Sequence, residues 1–289
     1  MCAVIRASES RALSDRPPEL ITSRRNPLVA RLRALHQARG RREQGLLLLE
    51  GTHLLQEVLR LGLMPECLVA TETWLRRHAP LLAGAGLTPQ PVGEAVLEAV
   101  ATTEHPDGVV LTLAAEALPR PAAAASFVLA LDQLQDPGNL GTLLRTALAA
   151  GVEATWLGGG ADPWQPKVLR SSAGAALALP LQREADRAGL LPLLEGARAA
   201  GHQLVATLVE GSSAEAEAPV PYWQLDWTRP TVLLLGNEGA GLHPELAALA
   251  THRVTIPHSA AVESLNVAVA AGPLLLERWR QQSQRSAAP

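Results

Sequence analysis

Cysteine, lysine and aromatic side chains are nearly absent from this chain of 289 residues. The two cysteines, Cys2 and Cys67, stand apart rather than in a CxxC pair. This excludes a disulfide framework and a zinc knuckle and fits a reducing, cytoplasmic setting with no metal expected. The single lysine, Lys167, follows a proline, so no Gly-Lys pair exists and a Walker A phosphate loop is ruled out. Apolar runs such as Leu46–Leu49 and Val232–Leu235 fall far short of the ~20 residues that span a bilayer. The first residues, MCAVIRASESR, hold no apolar stretch of the secretory kind, and Glu9 and Asp15 argue against an acid-poor transit peptide.

What is present has a globular balance, 47% hydrophobic and 18% charged. At a soft ~150 residues per domain, the length suggests two domains. Net charge is only −3, but it is unevenly spread: residues 1–50 carry ten Arg against five acids, and the remainder 15 bases against 23 acids. Between Arg24 and Arg42 lie seven Arg and no acid. Such a patch favours a phosphate-bearing partner; a solvated helix face is the plainer alternative.

We expect residues 1–20 to be frayed, a small α/β unit over 21–116, a linker over 117–126 where two prolines interrupt periodicity, and a second α/β unit over 127–285. In the first unit, a helix after Asn26-Pro27 buries Leu28, Leu32 and Leu35 and leaves Arg31, Arg33 and Arg39 outside. Strands are expected at 46–50, 67–70 and 109–113, with helices through Leu54–Leu59 and over 73–82. In the second unit, strands at 127–131, 154–157, 204–208, 232–235 and 253–256 alternate with helices at 140–150, 189–200, 243–250 and 265–280. Apolar strands alternating with helices imply a mostly parallel sheet covered on both faces. Residues 211–227 read as an acidic surface loop.

Ligands of open α/β sheets bind at the carboxyl ends of strands, and three junctions there are rich in Gly, Asn and Pro. The first is LDQLQDPGNLGTLLRTALAAG, 131–151. Here Asn139 is positioned to cap a helix, and Gly141 and Thr142 leave room beside Arg145 for a phosphate or ribose. The second, TVLLLGNEGAGLHPEL at 231–246, places three glycines where backbone can approach a ligand. Its spacing is GxxGxG, not the GxGxxG of dinucleotide folds, which disfavours a nicotinamide oxidoreductase. The third, HRVTIPHSAAVESLNVAVAAGPLLLERWR at 252–280, ends a strand at Ile256-Pro257. A long helix follows, capped by Ser264 or Asn266 and kinked by Pro273. Each junction alone also suits an ordinary turn, cap or solvated side chain.

Together, in this order, the three resemble the signature motifs of the SpoU (TrmH) family of RNA ribose methyltransferases, in the SPOUT superfamily. Asn139, Gly141 and Arg145 match the first motif, Gly236 to Leu242 the second, and Ile256-Pro257 with Ser264 to Val267 the third. KVLRSSAGAALALP at 167–180 resembles the segment between the first two. More weakly, 21–59 and 102–113 are similar to the small substrate-binding domain that many members carry. His258, where an apolar residue is common, and Pro273 depart from the pattern.

The resemblance implies an α/β fold with a mostly parallel sheet and a C-terminal trefoil knot, preceded by a small α/β RNA-binding domain. It implies S-adenosylmethionine as methyl donor, a ribose 2′-hydroxyl of RNA as acceptor, and a homodimer. Ribosomal RNA is the first expectation and transfer RNA the second; a non-catalytic RNA-binding or ribosome-assembly protein on the same fold is the alternative. By motif match, Arg145, Asn139, Glu238, Ser264 and Asn266 are the catalytic candidates. Gly236, Asn237, Gly239, Ile256 and Leu265 are the cofactor-binding candidates, and Arg24, Arg25, Arg31, Arg33, Arg41 and Arg42 would contact the RNA backbone. With six Trp, one Tyr and one Phe, base-stacking sheets are not expected.

Overall fold

A computed structural model describes residues 18–122, 124–208 and 218–286. The expected frayed N-terminus, through residue 17, and the acidic stretch 209–217 lie outside the described residues. The chain divides into two compact units, the first running to Leu118 and including Trp164–Pro166, the second holding the rest.

The first unit runs α1 (Pro27–Ala34), α2 (Ala38–Gln44), β1 (Leu46–Glu50), α3 (Thr52–Arg60), β2 (Cys67–Thr71), α4 (Glu72–Arg77), α5 (Ala79–Ala85), β3 (Gln90–Val92), α6 (Glu94–Val100) and β4 (Val109–Ala114). Its sheet is mixed, in the order β1-β4-β2-β3, with only the β2–β3 pair parallel. Asn26 caps α1 by accepting from the Leu28 amide at 2.8 Å, and Pro27 opens the helix. Val29, Leu32 and Leu35 of that segment pack with Leu48, Val69 and Val110 of the sheet and with Val96, Leu97 and Val100 of α6. The expected single helix over 73–82 is two helices meeting at His78, because Pro80 has no amide to continue an i to i−4 ladder.

The second unit runs β5 (Phe127–Asp132), α7 (Pro137–Ala149), β6 (Ala154–Gly158), α8 (Pro166–Ser171), α9 (Ala175–Ala178), β7 (Leu181–Glu184), α10 (Leu190–Ala199), β8 (Gln203–Thr207), β9 (Val220–Pro221), β10 (Thr231–Leu235), α11 (Pro244–Leu249), β11 (His252–Thr255) and α12 (Val267–Ser286). The seven strands are all parallel, in the order β7-β6-β5-β10-β8-β11-β9. Every residue of β5 and β10 is buried, as strands covered on both faces require. Leu190 and Leu194 of α10 and Leu246 of α11 cover one face over Val128, Ala130, Val232 and Leu234. On α7, Leu140, Leu143, Leu144 and Ala147 form the buried stripe. Truncating one of these leucines to Ala is expected to cost about 2–5 kcal/mol. The helix α12 continues through Pro273, and no described helix is long and apolar enough to cross a membrane.

Three strands were not anticipated from the sequence: β3, β7 and β9. All three lie at sheet edges. β3 and β9 each contain a proline, and β7 is Leu-Gln-Arg-Glu with no fully buried residue. Edge strands are short, polar or proline-bearing because one side of their backbone has no ladder partner.

Candidate active site

The register brings the carboxyl ends of the central strands level. Leu131 of β5 lies beside Leu235 of β10, Ala206 of β8 beside Leu234, and Thr207 beside Val254 of β11. The segments leaving these strands therefore meet at one edge, where a cleft of about 1120 Å³ opens. Its lining includes Thr207, Leu208, residues 235–242, Thr255, Ile256, His258 and residues 264–267, with Asn139 from α7. The cleft gathers nine of the ten expected catalytic and cofactor-binding residues: Asn139, Gly236, Asn237, Glu238, Gly239, Ile256, Ser264, Leu265 and Asn266.

The 236–242 loop is held by its own sequence. A Cβ at Gly236 would run into the backbone of Gly241 and Leu242, so only glycine lets the loop double back there. Asn237 and Gly241 then exchange both backbone hydrogen bonds, each at 3.0 Å. The Asn237 side chain accepts from the Gly239 and Ala240 amides at 2.9 and 3.2 Å and donates to the Gln133 carbonyl at 2.8 Å. Gln133 is left-handed, with φ 52°, a conformation that costs a non-glycine residue about 1–3 kcal/mol and is found at functional turns.

Glu238 joins this loop to the first motif. Its carboxylate accepts from the Gln135 and Asp136 amides at 3.1 and 2.9 Å and from Asn139 Nδ2 at 3.3 Å. Asn139 Oδ1 in turn accepts from Asn266 Nδ2 at 3.0 Å. Asn266 Oδ1 caps α12, accepting from the Ala268 and Val269 amides at 2.9 and 3.3 Å. One hydrogen-bonded chain thus ties the three motifs together. Partial burial raises the Glu238 pKa, but the Asp136, Gln135 and Glu238 amides and Asn139 more than offset it, leaving it below the usual 4.5.

Two expectations about α7 are corrected. Asp136, not Asn139, caps the helix: its carboxylate accepts from the Asn139 amide at 2.7 Å. The Asn139 side chain is thereby released for Glu238 and Asn266. Gly141 does not leave room for a ligand beside Arg145. It is buried, and a Cβ there would run into the Ser171 hydroxyl and come within 2.8 Å of the Ser172 amide, so it serves the close packing of α7 on the C-terminal end of α8.

Arg145 is the expected catalytic residue that lies outside the cleft lining. It is exposed on α7 and, among the described residues, makes no hydrogen bond or ion pair. Ser264 is exposed at the cleft without a hydrogen bond among the described residues. His258 lines the cleft with its Nδ1 2.7 Å from the Ile256 carbonyl oxygen. Leu208, Thr207 and Arg253 also line it and were not anticipated. A strand end carries no glycine or asparagine signature, and only the pairing register shows that β8 ends beside β10 and β11.

In the first unit the arginines separate. Arg25, Arg31, Arg33 and Arg42 are exposed and, among the described residues, without a polar side-chain partner. Arg24 donates to the Ala95 carbonyl at 2.8 Å and lies 3.6 Å from Glu98. Arg41 corrects the expectation of an RNA-facing side chain. It is buried and donates to the Leu35 and His36 carbonyls at 2.8 and 3.0 Å, closing the turn between α1 and α2.

Residues 126–276, more than half of the chain, match the SpoU rRNA Methylase family, and residues 26–111 match the MRM3-like substrate binding domain. The chain belongs to the SpoU rRNA methylase family. As a SpoU protein it is 46% identical to an uncharacterized tRNA/rRNA methyltransferase of Synechocystis, over 91% of this chain and 94% of that one. It is 34% identical to the Bacillus subtilis 23S rRNA (guanosine(2553)-2′-O)-methyltransferase RlmP, over 88% and 97% of the two chains. Among solved structures, the AdoMet-bound rRNA methyltransferase of Sinorhizobium meliloti is similar with a TM-score of 0.76 and 34% identity, over 92% and 98%. The SpoU cleft suits such a cofactor. Leu208, Leu235, Ile256 and Leu265 line it with apolar surface, and the glycine loop presents backbone polar groups to it. Among the described residues no cluster of His, Cys, Asp or Glu could hold a metal ion.

Proposed function

We propose that this SpoU protein transfers a methyl group from S-adenosylmethionine to a ribose 2′-hydroxyl of ribosomal RNA in the cytoplasm. The observation that carries this reading is the hydrogen-bonded chain Glu238–Asn139–Asn266, which gathers the three family motifs around one cleft. Gly236, Asn237, Gly239, Ile256 and Leu265 would hold the cofactor, with Leu208 added from β8. The trefoil knot implied by the family resemblance is part of this reading.

The sulfonium of S-adenosylmethionine supplies both the methyl group and its own leaving group. The protein's task is to orient a weakly acidic hydroxyl and to stabilise the charge it develops. Asn139 is fixed on both sides by Glu238 and Asn266, so its amide presents a constant edge to the ribose. The Ser264 hydroxyl, unengaged at the cleft, is available to the same sugar. Arg145 grips the neighbouring phosphate and stabilises the developing alkoxide, while the hydroxyl proton passes to solvent water as the methyl group is transferred.

Because Arg145 stands outside its own cleft, the reading requires a second copy. Val269, Leu276 and Trp279 of α12 are exposed and share one helix face. The Trp279 ring lies against Gly151 at the end of α7, where a Cβ would come 3.5 Å from it, and exposed Leu148 sits one turn beyond Arg145. A self-complementary contact on this apolar face would bring Arg145 to the partner's cleft. The first unit, with Arg25, Arg31, Arg33 and Arg42 exposed, would contact RNA phosphates.

Purified protein is incubated with methyl-labelled S-adenosylmethionine and unmodified ribosomal or transfer RNA, with Arg145→Ala as control. Label in ribosomal RNA that disappears in the variant is expected. Label in transfer RNA alone would replace the substrate, and cofactor binding without transfer to either would favour a non-catalytic RNA-binding role.

A further inference from the structure

Asn237 and Glu238 clasp the cofactor loop to residues 133–136, and both belong to the family motif. A third clasp, between Asp132 and Arg187, holds the far end of the same loop, and neither residue is among the expected catalytic or cofactor-binding ones. Asp132, the last residue of β5, is buried with 1% of its side chain exposed. Its Oδ2 accepts from the His243 amide at 3.3 Å, immediately after Leu242, where the loop becomes α11. Arg187, from the turn before α10, donates through Nε to both carboxylate oxygens at 3.0 and 3.1 Å. A buried carboxylate without a counter-charge is strongly disfavoured, and the Arg187 guanidinium supplies that counter-charge to Asp132. The turn carrying Arg187 is itself fixed: at Gly158 a Cβ would come within 3.4 Å of the Arg187 Cα.

We infer that Asp132, held by Arg187, is a positioning residue that sets the cofactor affinity of the 236–242 loop by anchoring its exit at the His243 amide. With the entrance fixed by Asn237 on the Gln133 carbonyl and the middle by Glu238, the loop is pinned at three points to one five-residue stretch, 132–136. A preformed loop binds its ligand without losing conformational freedom at that moment. Releasing one end therefore weakens binding while leaving the side chains that would face the ribose unchanged. The inference rests on the reading of the cleft as the cofactor site.

The test uses full-length protein in three forms: wild type, Arg187→Gln, and the double variant Asp132→Asn/Arg187→Gln. The double variant removes both charges and keeps an oxygen that accepts from His243. Amide hydrogen exchange over 236–243 and the dissociation constant for S-adenosylmethionine are measured without RNA, alongside thermal melting. In Arg187→Gln, faster exchange at the loop exit and a dissociation constant raised about tenfold or more are expected, as for a lost hydrogen bond to a charged group. In the double variant both values return towards wild type. Unchanged loop exchange and affinity in Arg187→Gln would overturn the inference, as would a double variant no better than the single one. If Arg187→Gln melts far below wild type, the double variant decides by itself: wild-type affinity supports the neutral clasp, and lost affinity in a folded double variant refutes it. Failure of the cofactor to protect 236–243 in wild type would instead remove the reading of the cleft.

Discussion

The 236–242 loop and the arginine-rich segment 24–42 both stand out in the sequence, yet they are built in opposite ways. In the loop, each polar side chain is committed to another segment: Asn237 to residue 133, and Glu238 to 135, 136 and 139. In the arginine segment the charges act singly. Arg41 is spent inside the fold and Arg24 on Glu98, while Arg25, Arg31, Arg33 and Arg42 face solvent. A site that must hold one geometry is written as an ordered motif, because each residue's partner is fixed. A surface that must only attract phosphate is written as composition, because any of several cations serves. Substitutions in the first should act through geometry and all at once, and in the second by increments and with salt.

The sharpest contrast comes from Arg145. Its exposed guanidinium, without a partner among the described residues, predicts that Arg145→Ala melts as wild type and binds cofactor normally. Transfer to RNA should fall by about a hundredfold or more, as when one donor to a developing oxyanion is lost. A comparable loss is expected when the apolar face of α12 is made charged. Trp279→Asp combined with Leu276→Asp should shift the particle mass measured by light scattering from dimer to monomer and abolish transfer, while the monomer still binds S-adenosylmethionine.

Within the arginine segment itself, two substitutions of the same type should behave differently. Arg41→Ala strands the Leu35 and His36 carbonyls and is expected to lower stability by about 1–3 kcal/mol, read by denaturant unfolding. Replacing Arg25, Arg31, Arg33 and Arg42 together should leave stability unchanged and raise KM for RNA. The salt dependence of binding should become shallower by roughly 0.7–0.9 for each phosphate that is no longer neutralised.

The smallest effect is on pH. The folded Glu238 lies below its ordinary value, so the deprotonated form is favoured by folding. The stabilisation is present above the unfolded pKa and disappears as pH falls through the lower, folded one. Cofactor affinity should therefore persist to pH values somewhat below 4.5 and then drop, and Glu238→Gln should remove that acid limb.

Much of this was legible in the residues. The five central and near-central strands of the second unit follow from periodicity and turn chemistry, which also narrowed the cap of α12 to Ser264 or Asn266, while the order of the three motifs came from the family resemblance. Three things did not. The edge strands were hidden because Pro91, Pro221 and the polar 181–184 segment do not resemble buried strands. The packing role of Gly141 depends on Ser171, thirty residues away, and no local pattern shows it. Leu208 reaches the cleft only through strand register, and the Asp132–Arg187 clasp joins residues 55 positions apart, a pairing that no local pattern shows.

The most direct measurement is the position of the transferred methyl group. After reaction with labelled S-adenosylmethionine, the modified RNA is digested to nucleosides and the labelled product analysed by mass spectrometry. Label on the ribose 2′-oxygen, lost in Arg145→Ala, is the result the account predicts. Label on a base, or label unaffected by Arg145→Ala, would contradict it.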